Sequence, residues 1–433
     1  MNLNPRTHYD LIVVGSGPSG ATVAREMAIS DKKVLLLEWG DNKPVKGTKL
    51  QALSNTAIPG KSFFITKDML GVTRGLTTGG SSVYYYATAF EPPVHVFKSY
   101  GIDLKNEIES VKRELPIKPL QDSFIGPNAK TLMNSAKSLG YDWQKLPKFI
   151  DTEKCKINCW KCTYGCPHGA KWNARMYVED GIKNGLELIT GAKVRKAIIE
   201  KNKAVGIEYR KSGKDYKVFA DKIVISAGGI GSPLILKETG IENVGTDFFF
   251  DPLISVMGTL PGLNGGREIP MAGGMHMEED GYMMTDMAIP QMLYMGFTAQ
   301  VFRFHKLFSH KNTLQIMIKA KDELGGNIGR NGGVHKSLTK RDRQKLMKGY
   351  KVAEKILKNA GAKDIFKSWY LAAHPGGTAK INEVVDKNLK TTFDNLYVCD
   401  CSVIPESWGL PPTLTLLALG KRLSNHLREI SNN

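Results

Sequence analysis

The chain has 433 residues, 42% of them hydrophobic and 24% charged, proportions that exclude a disordered or collagen-like protein. At roughly 150 residues per domain the length predicts two to three domains and a sizeable core. Sixty Lys and Arg against 42 Asp and Glu give a formal charge of +18, which points to an acidic partner, an anionic surface or an anionic substrate without choosing among them.

No run of about 18 apolar residues exists, so no transmembrane helix is predicted. Residues 1–8 lack the apolar centre of a signal peptide, and a cytoplasmic protein is expected. The N-terminal segment then reads strand, glycine turn, helix, strand. Tyr9–Val14 is an apolar strand, Gly15-Ser-Gly17-Pro18-Ser19-Gly20 follows at once, and Ala21–Ile29 is a short helix rich in small residues. A second apolar strand, Val34–Leu37, ends at Glu38. This is a βαβ opening with parallel strands. Gly15 allows the tight turn, Gly17 admits a pyrophosphate, and Gly20 lets helix and strand pack closely. The helix N-terminus offers free N–H groups to phosphates, and Glu38, eighteen residues after Gly20, can accept ribose hydroxyls.

A second glycine-rich stretch runs from Thr73 to Ser82 and includes Arg74, Gly79, Gly80, Ser81 and Ser82, with Val83–Tyr86 expected as an aromatic strand. Small residues there permit close approach of backbone to a flat or charged ligand. Cys155, Cys159, Cys162 and Cys166 then crowd into twelve residues, while Cys399 and Cys401 are placed on one strand near the C-terminus. Crowded thiols without a secretory context favour metal over disulfide. Residues 186–233 read as β-rich and close on a third strand-to-helix glycine turn, Ala227-Gly228-Gly229-Ile-Gly231-Ser232-Pro233.

Eight of the sixteen methionines fall between Met271 and Met295, which predicts either an adaptable lipophilic wall or a plain core sheet. Thr339–Asn359 has the stripe of an amphipathic helix, opened by a capping box of Thr339 and Asp342. Its outer face carries Arg341, Arg343, Lys345, Lys348, Lys351 and Lys355, either a solvated face or a docking face for an acidic protein or anionic lipid. No nucleic-acid motif accompanies it. The C-terminal part holds His374-Pro-Gly-Gly-Thr378, a strand around Asn395–Pro405 with Asp400 and Cys401, and Pro411-Pro412-Thr413 opening the last helix.

Taken in order, these blocks resemble the glucose–methanol–choline (GMC) oxidoreductases, which are flavoenzymes. The resemblance implies an α/β fold with a discontinuous Rossmann-like FAD-binding domain (1–95, 185–255 and 366–433). A connecting segment (96–184, cysteines within 150–175) and a substrate domain with a mostly antiparallel sheet (256–365) complete it. It implies FAD contacts from Gly15, Gly17, Pro18, Ser19, Gly20, Glu38, Arg74, Gly79, Gly80, Ser81, Ser82, Val194, Ala227, Gly228, Asp400, Cys401, Pro412 and Thr413. It also implies oxidation of an alcohol by hydride transfer to flavin, with His374 taking the hydroxyl proton. One departure stands out: where the family places His or Asn before the last Pro, this chain has Pro411, which has no donor. Another group, with His168, His276, His305 and His335 as candidates, then supplies the hydrogen bond, or the reaction is not simple alcohol oxidation.

The spacing Cys155-x₃-Cys159-x₂-Cys162-x₃-Cys166-Pro167 resembles the tail of a bacterial ferredoxin motif, and some GMC sugar dehydrogenases carry a cluster in a similar place. A 4Fe–4S or 3Fe–4S cluster is expected, with zinc and reduced thiols as rivals. The reading is an FAD dehydrogenase of an alcohol, lipophilic by its methionines, passing electrons to an acidic carrier such as a ferredoxin. A reductase or isomerase of a double bond, an electron-transfer subunit and a zinc-stapled flavoprotein are the alternatives.

Overall fold

The computed structural model describes residues 8–432. Residues 1–7, most of the stretch expected to lack a targeting signal, lie outside them. Among the described residues no helix is long and apolar enough to cross a membrane.

The first sheet has seven strands. Five run parallel in the order Glu187–Ile189, Val34–Leu37, His8–Val14, the end of Lys214–Ile225, and Leu396–Val398. Val34–Leu37 is buried throughout, as are Leu11–Val14 and Ile223–Ile225. Such unbroken apolar runs suit strands covered on both faces. The long strand Lys214–Ile225 also pairs antiparallel with Lys203–Lys211, which pairs with Lys193–Glu200. Cross-links fix the carboxyl ends of the parallel strands at one edge. Gly15 N–H donates to Leu37 O (2.8 Å), Ser226 N–H to Val14 O (2.7 Å) and Cys399 N–H to Ile225 O (2.9 Å). In an open α/β sheet a ligand binds outside that edge.

The second sheet has nine strands, antiparallel except where Leu371–Ala372 runs beside Gly71–Thr73. Its centre is Pro252–Thr259, Thr313–Ala320, Tyr282–Asp286 and Gly273–Met277. Phe63–Ile65, Gly71–Thr73, Gln144–Lys145, Lys363–Lys367 and Leu371–Ala372 join it as well. The segments expected in the cofactor domain or the connector thus also build this sheet.

Alternation gives the sheet two different faces. Met275, Met284, Ile316 and Ile318 pack in one apolar cluster with Leu346, Ala353 and Leu357 of the helix Lys340–Asn359. Met257, Met283 and Met317 belong to the cluster around the first sheet. The methionines therefore divide between the face covered by the helix Lys340–Asn359 and the opposite face, which packs with the first sheet's cluster.

Two local expectations need correction. Val83–Tyr86 is not a strand: Gly80–Val83 forms a 3₁₀ turn, because Ser82 Oγ donates to Gly79 O (2.6 Å) and accepts from Ala174 N–H (2.9 Å). Cys399 and Cys401 do not share a strand either. The strand stops at Val398, and Asp400 accepts from Ser402 N–H (2.8 Å) to open the 3₁₀ turn Cys401–Val403.

The helix Lys340–Asn359 carries the expected capping box, with Thr339 Oγ1 accepting from Asp342 N–H and the Asp342 carboxylate from Thr339 N–H. Thr339→Ala should lower stability by about 1 kcal/mol, read as a lower urea midpoint at unchanged slope.

Candidate active site

The cofactor edge is built from carboxylates that tie glycine turns together. Gly15 sits at φ +98, and a β-carbon there would lie 2.2 Å from Ser226 O, so only glycine fits between the two strand ends. Pro18 is the first residue of the helix Pro18–Ile29 and Gly17 its N-cap. Ser19 Oγ donates to Leu416 O (3.0 Å), joining this helix to the last one, Thr413–Asn432, just after Pro412. The Glu38 carboxylate is buried, accepting from Ser16 N–H (3.0 Å), Ser16 Oγ (2.6 Å) and Gly40 N–H (2.7 Å). Burial raises its pKa against those donors and the nearby Arg74 charge. Ser16 Oγ in turn accepts from Gly79 N–H (2.9 Å), which brings the loop Gly79–Ser82 to the first glycine turn. Ser81 Oγ accepts from Gly75 N–H (3.0 Å). Arg74 rests against the Trp39 and Phe64 rings, and burial lowers its pKa to about 10.

The other side mirrors this design. Asp400 is buried and accepts from Gly228 N–H (2.8 Å) and Ser232 Oγ (2.5 Å), while Ser232 Oγ accepts from Ala227 N–H (3.0 Å). Val194 is buried in the strand Lys193–Glu200. A dinucleotide fits this edge on an observation apart from the motif. Nothing lies within 4 Å of a β-carbon built on Gly17, so space is open over the helix N-terminus where phosphates sit. Glu38 Oε1 keeps one lone-pair site free for a ribose hydroxyl.

Across from this edge stands His374, in the left-handed region at φ +49. A β-carbon on Gly229 would lie 1.9 Å from Pro375 O, and Thr378 Oγ1 donates to Gly229 O (2.8 Å), so the block is clamped to the helix Gly228–Thr239. His374 Nδ1 lies 3.1 Å from Asp251 Oδ2 and 3.1 Å from Lys319 Nζ, which are themselves 3.3 Å apart and buried. Burial and the Lys319 charge lower the His374 pKa against the pull of Asp251. A neutral imidazole results near pH 7. Nδ1 can either donate to Asp251 or accept from Lys319; only the first leaves Nε2 as the proton acceptor.

Below this triad, Asp322 accepts from the backbone N–H groups of Phe250 and Asp251 (both 3.1 Å) and pairs with Lys336 (3.1 Å). Burial raises the Asp322 pKa to about 6. Register aligns His276, Met283, Lys319 and Leu253 across the second sheet. Asp251 Oδ1, Ser255 Oγ, Thr285 Oγ1 and Gln315 Oε1 are buried without a partner within the chain. Of the histidines expected to replace the donor missing at Pro411, His276 shares that row. His276, His305 and His335 are all exposed, the last two away from this row, and His168 sits beside Lys156 and Lys161.

The four clustered cysteines are free thiols on a loop around the 3₁₀ turn Lys161–Tyr164. Cys162 is buried, and burial pushes the Cys155 thiol up to about 12. Lys171 N–H donates to Cys166 Sγ (3.4 Å), and Lys171 Nζ to Cys162 O (2.7 Å). Among the described residues, no three Cys, His, Asp or Glu side chains converge as a metal site. The thiols have the chemistry of a cluster's ligands but not, in this arrangement, the convergence.

Residues 9–253 match the N-terminal region of the GMC oxidoreductases and residues 334–420 their C-terminal region. The chain belongs to the GMC oxidoreductase family. It is an FAD-dependent oxidoreductase of the class acting on CH–OH groups. This GMC oxidoreductase is 31% identical to an uncharacterized Methanocaldococcus jannaschii protein over 98% of its own length and 100% of that protein's. A long-chain-alcohol oxidase of Arabidopsis thaliana is 22% identical over 98% of this chain and 68% of that one. Among solved structures, pyridoxine 4-oxidase from Mesorbium loti superimposes with a TM-score of 0.77 at 17% identity, covering 97% of this chain and 99% of the other. Formate oxidase superimposes with a TM-score of 0.75 at 15% identity, covering 98% and 99%.

Asp251, Lys319, Asp322 and Lys336 escape the sequence reading, although Lys319 leaves a trace as the one charge in Thr313–Ala320. Lys319→Met removes a charge that lowers the His374 pKa, so the acid limb of the pH–rate profile should move to higher pH. Asp251→Asn should cut kcat by about 100-fold or more, because the negative charge that holds the Nδ1–H tautomer and pairs with Lys319 is lost.

Proposed function

We propose that this GMC oxidoreductase oxidises a lipophilic alcohol, with His374 as the base. The observation that carries the reading is the His374–Asp251–Lys319 contact opposite the cofactor edge. With Nδ1–H held by Asp251, Nε2 accepts the hydroxyl proton. The Lys319 ammonium, paired with the same carboxylate, keeps the imidazole neutral beforehand. FAD, when bound at the Gly15–Gly20 turn and Glu38, would supply the acceptor for the hydride leaving the alcohol carbon. His276, roughly 10 Å from Lys319 across two strand spacings, is the candidate for the hydrogen bond Pro411 cannot give. Met257, Met283 and Met317 support an apolar substrate, as does the likeness to long-chain-alcohol oxidases. The unpartnered Ser255, Thr285 and Gln315 oxygens are proposed to meet its polar end.

For the electrons we propose an outlet through an iron–sulfur cluster on Cys155, Cys159, Cys162 and Cys166, bound once metal draws the thiolates together, and then to an acidic carrier. Its support is the ferredoxin-like spacing, the N–H donated to Cys166 Sγ and the buried Lys171 and Lys148 ammonium groups near Cys162. The overall charge of +18 suits an acidic carrier. The basic face of Lys340–Asn359 is a weaker dock. Arg341, Arg343 and Lys348 are paired within the chain to Glu323, Asp68 and Asp280, and Lys345 is bonded to Lys321 O.

His374→Ala should keep FAD bound but slow flavin bleaching by alcohols at least about 100-fold; unchanged bleaching removes the base. Anaerobically purified protein should contain three to four irons per chain, as the two cluster types require, and Cys162→Ser should lose them while keeping FAD. Zinc, or no metal, would reduce the cysteines to a structural loop.

A further inference from the structure

We propose that the segment Gln291–Asn312 is an anchor that seats this enzyme on an anionic lipid surface. The inference goes beyond the proposed chemistry and does not depend on it. Phe302, Phe304 and Phe308 are 81%, 56% and 84% exposed, and Met292 and Leu293 of the preceding helix are 39% and 42% exposed. Single exposed apolar residues are ordinary, but five within seventeen residues form a patch that water alone does not favour.

The patch is not a floppy loop. Tyr294 Oη donates to Lys306 O (2.9 Å) and His310 Nε2 contacts Ile289 O (2.7 Å). Lys306 Nζ, buried, reaches Asp364 (2.7 Å) and Thr259 Oγ1 (3.1 Å). A fixed base thus holds the phenylalanine rings out. Phe302 even stands at φ +58, a strained position for a bulky residue that a glycine or asparagine would fill more cheaply. Its aromatic neighbour among the described residues is Phe304, also exposed, in an edge contact at 6.2 Å.

Charge selects the occupant. No acidic residue occurs from Met287 to Lys321, whereas exposed Arg303 and Lys311 flank the rings. The acid beside them, Asp364, is already engaged by Lys306. A two-fold dimer through this patch would set Arg303 and Lys311 against their own kind. Aromatic knobs between cations instead match the interface of an anionic bilayer, which takes the rings at the headgroup level and the charges at the phosphates. Phe297 and Met287, behind the knobs, belong to the same apolar cluster as Met283 and Met317 of the substrate wall. Such a seat would deliver lipid-dissolved molecules toward it.

The test is flotation of the FAD-loaded enzyme with phosphatidylcholine vesicles, with and without phosphatidylglycerol. Binding should require phosphatidylglycerol and fall with salt. Phe302→Ser, Phe304→Ser and Phe308→Ser combined should cut partitioning at least about 100-fold, with flavin content and melting temperature unchanged. Arg303→Glu, which keeps the rings, should lose most of the salt-dependent part. Undiminished binding by the triple variant would overturn the anchor. So would failure of the wild type to bind, or a wild-type dimer that the triple variant dissociates without vesicles.

Discussion

A buried ion pair between Lys319 and Asp251 is the constraint around which the site is organised. Removing two charges from water costs several kcal/mol each, and their attraction offsets it only with added hydrogen bonds. His374 supplies one such contact to both, while Asp251 Oδ1 is left without a partner in the chain. Lys319 lies in the middle of the second sheet, Asp251 just before its neighbouring strand, and His374 where the chain returns toward the first sheet. One electrostatic contact therefore fixes the relation of His374 to the second sheet. Asp322 and Lys336 repeat the arrangement one layer away, holding the backbone that leads into Asp251.

The cofactor edge uses the same economy. Glu38 and Asp400 are buried carboxylates that accept backbone N–H groups from glycine-rich turns. Each ties one turn to another before any ligand arrives. A phosphate-binding edge made of small residues would otherwise be mobile, because glycine loses the most conformational freedom on folding. The carboxylates give the turns a single shape.

The cysteine loop is held from outside rather than by its sulfurs. Lys171 donates to Val83 O, Tyr85 O and Cys162 O. Lys148 donates to Tyr86 O, Thr88 Oγ1, Pro270 O and Met271 O. Burial lowers their pKa values to about 8 and about 7. These two lysines link the loop, the segment after the Gly79–Ser82 turn and the entry to the second sheet. A negative charge at the cysteines would find them already in place.

The sequence alone determined the parts whose chemistry is local. The βαβ opening with its three glycines, the acid at Glu38, the capping box at Thr339 and the order of the family blocks were all legible, because each depends on residues within a few positions of one another. The antiparallel second sheet was expected as a class, but its membership was not legible. Strands of two or three residues carry no periodicity and exist only because distant segments lie beside them, as where Leu371–Ala372 joins Gly71–Thr73 to Pro252–Thr259. Tertiary structure likewise decided the partners of His374. Asp251 and Lys319 stand 123 and 55 residues away from it, and a lone charge in an apolar strand does not announce what it faces. For the cysteines, spacing brings thiols near one another, while convergence on a metal depends on the backbone around them. Local chemistry is written in neighbouring residues; the pairing of buried charges is settled only when distant segments exclude water together.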